Sequence, residues 1–385
     1  MNYQFPMIYH IDQVIPHIEN HEGFIVAKRD NYDVVNYVSV VDAFPKVEEV
    51  GEGDAVRREC RGMIFDKQGK IVRRPFHKFF NVGERLETHE SKIDWTRKHV
   101  YLDKLDGSMV TPFLDKGQHL RWATKMGITE VAMQAEVHVA KNQKYIDFAT
   151  ACLDIPGDEV TPIFEWCSRK QRIVVDYPED QLILTGMRAL NSGYYYPYDS
   201  MKRVATNYGI PVVDSIPPID WNVLGDAEGM EGVVIRFLDG HMLKLKSSWY
   251  VGIHKALSGL VWEKDILRFI YEDKLDDVLP FLSVDDQNRV DNYAGLVRIG
   301  FNATLVQIQK ASKEAHEMGR KNFGLAEKMY PKMVRAVVFD TWEDENPDYA
   351  KCLLEKVKKH LNSQSGVDKI RGVVHAKPWK FRAGE

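Results

Sequence analysis

This chain of 385 residues shows two kinds of sequence pattern, and the boundary between them constrains the fold more than any other feature. Before Ser247, short β-branched and aromatic runs are separated by Gly, Pro, Asn and Asp, a pattern typical of strands. After Tyr250, apolar residues recur at three- and four-residue steps, which predicts helices. We therefore predict an α+β protein, with a mixed, largely antiparallel-sheet domain at residues 1–252 and an all-α domain at residues 253–385.

The runs and stripes predict specific elements. Glu130–Leu153 has the Ala-rich periodic spacing of a helix. Asp239-Gly240 supplies the positive φ of a tight hairpin turn, so we expect the strands on either side of it to pair. The predicted strands are Gly23–Lys28, Asp33–Val41, Cys60–Phe65, His99–Leu102, Ser108–Leu114, Thr161–Cys167, Gln181–Ala189, Gly232–Phe237 and Met242–Lys246. The later helical segments are Ile266–Leu279, the stripe Val297, Phe301, Leu305 and Ile308, Gly324–Phe339 and Tyr349–Leu361, with breaks at Pro280 and Pro331.

Composition excludes several classes of protein. With 44% hydrophobic and 28% charged residues, the chain is ordinary for a globular protein and not disordered. No apolar run is long enough to cross a bilayer, and the first residues lack the parts of a secretory signal. The four cysteines are scattered without C-x-x-C spacing, which predicts neither a zinc module nor a disulfide framework. We therefore expect a protein of the reducing cytoplasm.

The formal net charge of −4 does not by itself favour a nucleic-acid partner. The charge is uneven, because the segment from Lys356 to the end carries +6 and the rest of the chain −10. A basic tail on an acidic body could hold phosphates. Taken alone, the tail is better explained as a frayed, solvated terminus.

The densest polar cluster within a strand pattern is Asp103-Lys104-Leu105-Asp106-Gly107-Ser108. Here a lysine closes a strand and Asp-Gly turns the chain. Lys-x-Asp-Gly is short, and many chance copies are exposed hairpin turns, so the motif alone is weak. Its significance depends on the residues that accompany it.

A second pattern is Lys244-x-Lys246, whose two lysines point to the same face of a strand. A solvated edge strand would explain alternating lysines. It would not explain Glu231-Gly232, which places a carboxylate at the start of the hairpin partner, nor a third lysine at Lys104.

Two further features are open to both structural and functional interpretations. Glu165 is the single carboxylate in an otherwise apolar strand, so it is a rim or buried paired residue unless a ligand hydroxyl or metal engages it. In 57–65 and 73–81, basic residues alternate with aromatic ones. They are either a surface strand with snorkelling side chains or cations that face a polyphosphate.

Taken in order, these features resemble the covalent nucleotidyltransferases, the superfamily of ATP-dependent DNA and RNA ligases and GTP-dependent capping enzymes. Residue by residue, these motifs resemble those of the RNA ligase 1 family typified by the T-even bacteriophages. The resemblance implies an ATP-grasp-like nucleotidyltransferase domain and covers roughly residues 20–340. It is carried by Glu59-Cys60-Arg61-Gly62, Arg74-Pro75, Lys78-Phe79-Phe80-Asn81, Lys104-x-Asp106-Gly107-Ser108, Phe164-Glu165, Arg172-Ile173-Val174, Glu231-Gly232 and Lys244-x-Lys246-Ser247-x-Trp249-Tyr250.

The resemblance implies that Lys104 is the nucleophile, which attacks the α-phosphorus of ATP and becomes lysyl-AMP. A lysine attacks only when unprotonated, and neighbouring cations lower its pKa. Lys244 and Lys246 would hold the α-phosphate and stabilise the transition state. Arg61 and Lys78 would grip the β- and γ-phosphates.

The remaining implied ligands hold the nucleoside and the metal. Glu165 would accept a hydrogen bond from a ribose hydroxyl, and Glu231 would bind Mg²⁺ through water, with Mn²⁺ as an alternative. The other implied nucleotide-binding residues are Asp106, Gly107 and Lys125. The other implied metal-binding residues are Asp276 and Asp277, on the pyrophosphate side.

The same resemblance implies an RNA substrate with single-stranded 5′-phosphate and 3′-hydroxyl ends, which are joined after AMP moves to the 5′-phosphate. It also implies tRNA repair at an anticodon loop in the cytosol of a phage-infected bacterium, with docking by the helical domain and the basic tail. We expect a monomer.

Two alternatives remain at this point. A DNA ligase or capping enzyme would carry an OB-fold, and therefore more short strands, after Lys-x-Lys. A nucleotide- or RNA-binding protein would have the same pocket but would never form the covalent adduct.

Overall fold

The computed structural model describes residues 3–38, 42–116, 118–155, 159–170, 173–225, 227–326 and 328–381. The chain divides into two compact units, Met1–Val251 and Gly252–Glu385. The first unit contains all the assigned strands: β1 Phe24–Lys28, β2 Tyr32–Tyr37, β3 Arg61–Asp66, β4 Ile71–Arg73, β5 His99–Asp103, β6 Ser108–Leu114, β7 Leu120–Ala123, β8 Val160–Cys167, β9 Gln181–Ala189, β10 Ser215–Ile216, β11 Gly232–Phe237 and β12 Met242–Lys246.

These strands form three four-stranded sheets, in which every strand pair is antiparallel. The strand orders are β1-β2-β3-β4, β10-β5-β11-β12 and β7-β6-β8-β9. The helices of the first unit are α1 Glu52–Glu59, α2 Glu130–Ala140, α3 Gln143–Leu153, α4 Tyr198–Asn207 and α5 Trp221–Gly225. The predicted α+β class with largely antiparallel sheets is confirmed.

Helices and sheets share apolar cores in the first unit. Phe148 of α3, Met201 of α4 and Phe164 of β8 belong to one buried cluster, which places α3 and α4 against the β7-β6-β8-β9 sheet. In the β10-β5-β11-β12 sheet, Val233 and Ile235 are buried in a separate cluster on one face. Because side chains alternate along a strand, the residues between them face the other way, and that face carries the candidate site.

The described part of the second unit contains helices, 3₁₀ turns and connecting segments, and no assigned strand. Its helices are α6 Ser248–Val261, which crosses the division between the units, α7 Glu263–Tyr271, α8 Val284–Met318, α9 Arg320–Leu325, α10 Lys332–Asp340, α11 Tyr349–Lys359, α12 Gln364–Lys369 and α13 Arg371–Val374. One cluster of buried side chains runs from Leu260 to Phe381. Within the described residues, no helix is both long enough and apolar enough to cross a membrane.

Three predicted helices differ from those observed. The segment Glu130–Leu153 is broken into α2 and α3. The segment Ile266–Leu279 is helical only to Tyr271, because Asp273 takes a left-handed φ of 56° and 3₁₀ turns follow. In Gly324–Phe339 the predicted break at Pro331 is present, because Pro331 precedes the first turn of α10, but the helix before it begins earlier than predicted, at Arg320, and ends at Leu325.

The described part of the basic tail is folded, so the interpretation of a frayed, solvated terminus is wrong for residues 356–381. Val357 and Val374 are fully buried. Arg371 donates to both carboxylate oxygens of Glu263, and Lys356 donates to Asp340 at 2.5 Å. Other lysines of the tail are exposed: Lys358, Lys359, Lys369, Lys377 and Lys380. Arg382 lies outside the described residues.

A buried ion triad joins three segments of the first unit. Glu59 lies 3.1 Å from Arg74 Nε through one oxygen and 2.7 Å from Arg188 Nη2 through the other, and all three side chains are fully buried. Arg74 also donates to the carbonyls of Pro6 and Asn191. The triad therefore fixes the start of β3 and the segment after β4, which supply Arg61 and Lys78 to the candidate site.

We predict that Glu59→Gln destabilises the first unit by about 3–5 kcal/mol, because it leaves two buried guanidinium groups without their shared counter-charge. Urea unfolding followed by tryptophan fluorescence measures this change. The control is Glu48→Gln, which removes an exposed ion pair with Lys92 and is expected to cost less than about 1 kcal/mol. Equal effects of the two substitutions would contradict the structural role of the triad.

Candidate nucleotide site

Five of the polar residues singled out in the sequence, Arg61, Lys78, Lys104, Glu165 and Lys244, line one cavity of about 250 Å³ in the first unit. Strands of all three sheets contribute to its wall. Its charged and phenolic lining residues are Tyr37, Arg61, Lys78, Asp103, Lys104, Glu165, Arg236 and Lys244. The cavity is therefore rich in cations, although the whole chain is slightly acidic.

Lys104 follows β5 directly, and its backbone N donates to the carbonyl of Gly232 at 2.9 Å. Its Nζ lies 2.7 Å from Oε2 of Glu231, and the other oxygen of Glu231 lies 2.9 Å from Nζ of Lys246. The Glu231 side chain is only 3% exposed. One buried carboxylate thus holds two lysines from neighbouring segments of the chain.

The position of Glu231 depends on the residue after it. Gly232 has φ 151°, and a Cβ there would collide with the Leu245 carbonyl of the paired strand. Only glycine adopts such a φ without strain. The predicted pairing of β11 with β12 across Asp239-Gly240 is present, with Gly232 opposite Lys246 and Val234 opposite Lys244.

Strand β12 is not a solvated edge, as the simpler interpretation of its lysines would require. The backbone of Lys244 accepts from Val82 N at 3.0 Å and donates to Phe80 O at 3.1 Å. The pKa of the Lys244 amine is lowered to about 7, mainly by burial and next by the charge of Lys78, while the charge of Glu84 opposes the shift.

Arg61, at the start of β3, and Lys78 line the same end of the cavity as Tyr37. The Nζ atoms of Lys78 and Lys125 lie 5.2 and 4.9 Å from the centre of the Tyr37 ring. Burial raises the pKa of the Tyr37 phenol, but Lys78, Arg61 and Lys125 outweigh it and the net pKa is lowered. The sequence analysis missed Tyr37, because an isolated tyrosine at the end of a strand carries no motif.

The basic residues in 57–65 and 73–81 have two different roles. Arg61 and Lys78 line the cavity, whereas Arg74 belongs to the buried triad. Arg73 is also buried and donates to the carbonyls of Ala123 at 2.8 Å and Thr124 at 3.0 Å. Neither a snorkelling surface strand nor a continuous set of phosphate-facing cations describes these segments.

Asp106 and Gly107 fix the turn after Lys104. One Asp106 oxygen accepts from the backbone N atoms of Val174 and Val175 at 2.7 Å each, and the other accepts from Tyr250 OH at 2.7 Å. Asp106 is not among the residues that line the cavity, whereas Gly107 is. A Cβ on Gly107 would lie 2.5 Å from the Trp166 carbonyl, so glycine permits this close approach to β8.

Glu165 of β8 lines the cavity beside Lys104. The pKa of its carboxyl is raised to about 7, mainly by burial. The charges of Lys104 and Arg61 oppose this shift, and the charge of Glu231 adds to it. Asp103 also has a raised pKa, from burial and from the charges of Asp214 and Glu231. The Glu165 carboxyl can therefore exist in the neutral form near pH 7, where its protonated oxygen donates a hydrogen bond.

Three further residues singled out in the sequence are not among the described residues of the first unit. Asp276 belongs to the second unit, where it is exposed on the 3₁₀ turn Leu275–Asp277. The side chain of Asp277 and the whole of Arg172 lie outside the described residues.

A divalent ion fits this site only with ligands from the substrate. Within the described residues, no three His, Cys, Asp or Glu side chains are close enough to form a cage. Glu231 offers a carboxylate beside Lys104, and Mg²⁺ is commonly held by one or two carboxylates together with waters and substrate phosphates. The donor set is therefore suitable for Mg²⁺ or Mn²⁺ brought in with a polyphosphate.

Comparison with known proteins gives a consistent family. Residues 59–250, about half of the chain, match a family model described as RNA ligase. A protein of Thermovibrio ammonificans named as a candidate RNA ligase is 26% identical over 280 residues, which is 70% of each chain. RNA ligase 1 of bacteriophage TS2126 is 27% identical over 238 residues, which is 59% of this chain and 58% of that one.

Solved structures give a weaker likeness. An archaeal ATP-dependent RNA ligase is 13% identical, with a TM-score of 0.44 over 74% of this chain and 78% of that one. A Naegleria gruberi RNA ligase mutant crystallised with ATP and Mn is 18% identical, with a TM-score of 0.34 over 41% of this chain and 52% of that one.

We predict that anion binding in the cavity weakens as pH rises through about 7, because Lys244 loses its charge there. Trimetaphosphate is a suitable probe, since its own charge is constant in this range. Its affinity, measured by calorimetry, should fall roughly tenfold between pH 6 and pH 8.5, the value of one charged hydrogen bond. Lys244→Met should reduce this dependence to the part that comes from ionisation of Glu165, whose pKa is also about 7, whereas the exposed Lys144→Met should retain all of it. A pH profile that is the same in all three proteins would contradict the prediction.

Proposed function

Because the chain belongs to the RNA ligase family, we propose that it is an ATP-dependent RNA ligase that works through a lysyl-AMP intermediate. The observation that carries this proposal is the convergence of Lys104, Lys244 and Arg61 with Lys78 and Glu165 at one cavity. A nucleotide-binding protein needs cations for phosphates. It does not need a lysine held by a buried carboxylate at the point where the phosphates would enter.

In the first step, Nζ of Lys104 attacks the α-phosphorus of ATP. An N–P bond forms, the bond from phosphorus to the pyrophosphate oxygen breaks, and the amine proton leaves to solvent. Lys244 and Lys246 stabilise charge on the α-phosphate, while Arg61, Lys78 and Lys125 hold the β- and γ-phosphates. When bound, a divalent ion at Glu231 would neutralise the phosphates and replace the ion pair that holds Lys104.

Glu165 accepts from a ribose hydroxyl in this proposal, and Gly107 lets the backbone approach the nucleotide. Asp106 acts indirectly, because its carboxylate holds residues 174–175 and Tyr250. In the later steps AMP passes to an RNA 5′-phosphate, and a 3′-hydroxyl attacks that activated phosphate, which joins the ends and releases AMP.

The helical second unit favours an RNA ligase over the two related alternatives. A DNA ligase or capping enzyme is expected to continue with the short strands of an OB-fold. Residues 252–326 and 328–381 contain helices and 3₁₀ turns and no assigned strand. The exposed lysines of residues 358–380 are candidates for contacting RNA phosphates.

Several finer expectations stay predictions. They are repair of tRNA at the anticodon loop, a phage origin, action as a monomer in the host cytosol, and a second metal held by Asp276 and Asp277. A comparison of cleaved tRNA anticodon loops with unstructured RNA of equal length would test the first of these.

We predict that the purified chain becomes labelled by α-³²P-ATP with a divalent ion, and that Lys104→Ala abolishes the label. Lys104→Arg is the matched control, since it keeps a cation but cannot act as the nucleophile, and it should also fail to label. The absence of label in the wild type would overturn the covalent mechanism and favour the binding-protein alternative. Label from GTP instead of ATP would indicate a capping-type enzyme.

We also predict that Glu231→Ala lowers adenylylation by at least about 100-fold without unfolding the first unit, since its carboxylate faces two lysines and not an apolar core. Calorimetric melting checks the fold, and the labelling assay checks the reaction. Normal labelling in this variant would remove Glu231 from the mechanism. Sealing of single-stranded RNA but not of nicked duplex DNA would then separate an RNA ligase from a DNA ligase.

A further inference from the structure

Arg236 of β11 is a buried cation that has no acidic partner among the described residues. The residue is 3% exposed, and within the described part of the chain no carboxylate forms an ion pair with it. Its Nη2 donates to the Tyr196 carbonyl, and its guanidinium carbon lies 5.5 Å from the centre of the Tyr195 ring. Its Nη1 is buried and has no hydrogen-bond partner among the described residues.

Such an arrangement is costly. Burial lowers the pKa of Arg236 to about 10, which shows how poorly the surrounding residues solvate its charge. An unpaired donor on a buried charged group is rare in folded proteins and calls for an explanation. Arg236 also lines the cavity, so an acceptor atom on a bound ligand could supply the missing hydrogen bond.

The sheet register places Arg236 at the end of the cavity away from the phosphate-facing lysines. Val234 is opposite Leu102 and Lys244, and all three line the cavity. Arg236 is the next residue on that face, about 6.8 Å further along the strand, and is opposite Met242. Phe76 also lines the cavity, and its ring stacks on the Tyr195 ring that Arg236 contacts, so the wall beside Arg236 is apolar there.

A nucleotide with its phosphates at Lys104 and Lys244 would therefore direct its base toward Arg236. In adenine, the edge furthest from the glycosidic bond carries N1, which accepts, and the 6-amino group, which donates. A guanidinium can pair with N1 only. Guanine has a hydrogen on N1, so a guanidinium aimed at that atom meets a donor and would have to shift to the neighbouring O6, and a pyrimidine does not reach as far.

We propose that Arg236 determines base specificity by donating a hydrogen bond from its unsatisfied Nη1 to N1 of adenine. The inference rests on the proposed use of ATP and deepens it, since it assigns the residue that reads the base. It makes Arg236 a contact of the substrate and not only a support for Tyr195.

The test uses the wild-type chain, so that folding of a variant does not enter. Equilibrium dialysis measures binding of ATP, 1-deaza-ATP and 7-deaza-ATP, and α-labelling measures adduct formation with each. Loss of a hydrogen bond from a charged donor should weaken 1-deaza-ATP roughly 10- to 100-fold relative to ATP. The 7-deaza analogue keeps N1 and should bind as ATP does.

Variants at Arg236 give the second arm. Arg236→Met should weaken ATP to the level of 1-deaza-ATP and abolish the difference between them, while Arg236→Lys should retain part of it. Equal binding of ATP and 1-deaza-ATP by the wild type would overturn the inference, even if the adduct forms. If the wild type binds ATP more tightly than 1-deaza-ATP but forms no lysyl-AMP adduct, the inference is supported and the covalent mechanism is overturned. Failure of the inference and failure of the proposed function therefore give different results.

Discussion

The Glu231 carboxylate between Lys104 and Lys246 is the interaction on which the rest of the site depends. Two ammonium groups this close would repel each other strongly in a partly buried setting. Glu231 offsets that repulsion with one oxygen for each, at 2.7 and 2.9 Å. It can do so only because β11 pairs with both β5 and β12, which places Gly232 beside Lys246 and the next residue beside Asp103.

The same balance explains the titration behaviour of the cavity. Burial is the largest cause of both shifts. The charges of Lys78 and Lys104 add to it in lowering the pKa of Lys244, and the charge of Glu231 adds to it in raising the pKa of Glu165, against the charge of Lys104. Groups of like charge thus stabilise each other's neutral forms as long as no ligand of opposite charge is bound. A polyphosphate would restore the charged lysines, and its binding is therefore coupled to proton uptake. The net charge of −4 gives no indication of this coupling, because the cations of the cavity are concentrated at one place and acidic residues elsewhere in the chain offset them in the sum.

Local patterns were enough to predict most strands and the convergence of the main site residues. Ser108–Leu114, Gln181–Ala189 and Met242–Lys246 were predicted with the observed bounds, because each is a β-rich run between turn residues. The short strands β4, β7 and β10 were missed, since two to four residues carry too little periodicity. Helix ends were predicted less well, since Asp273 stops α7 through its left-handed backbone and not through a proline or glycine.

Residues whose role depends on distant partners could not be predicted in the same way. Arg61 and Arg74 both follow Glu59 in segments rich in basic and aromatic residues. Arg61 lines the cavity, whereas Arg74 is buried against Glu59. Tyr37 and Arg236 reach the cavity because sheet pairing brings their strands there, and no spacing in the sequence records that pairing. Asp106 carries the strongest short motif, but its carboxylate points away from the cavity lining to Tyr250, 144 residues later.

The turn at Asp106 also limits how Lys104 can move. Its backbone N is bonded to Gly232, the Asp106 carboxylate is bonded on both oxygens, and Gly107 is closely packed against Trp166. The backbone on both sides of the nucleophile is therefore fixed, and only the four torsions of the Lys104 side chain remain free. Once Glu231 releases it, Nζ can turn toward a bound phosphate without any rearrangement of the sheets. The fixed backbone therefore sets the in-line direction from which Nζ attacks.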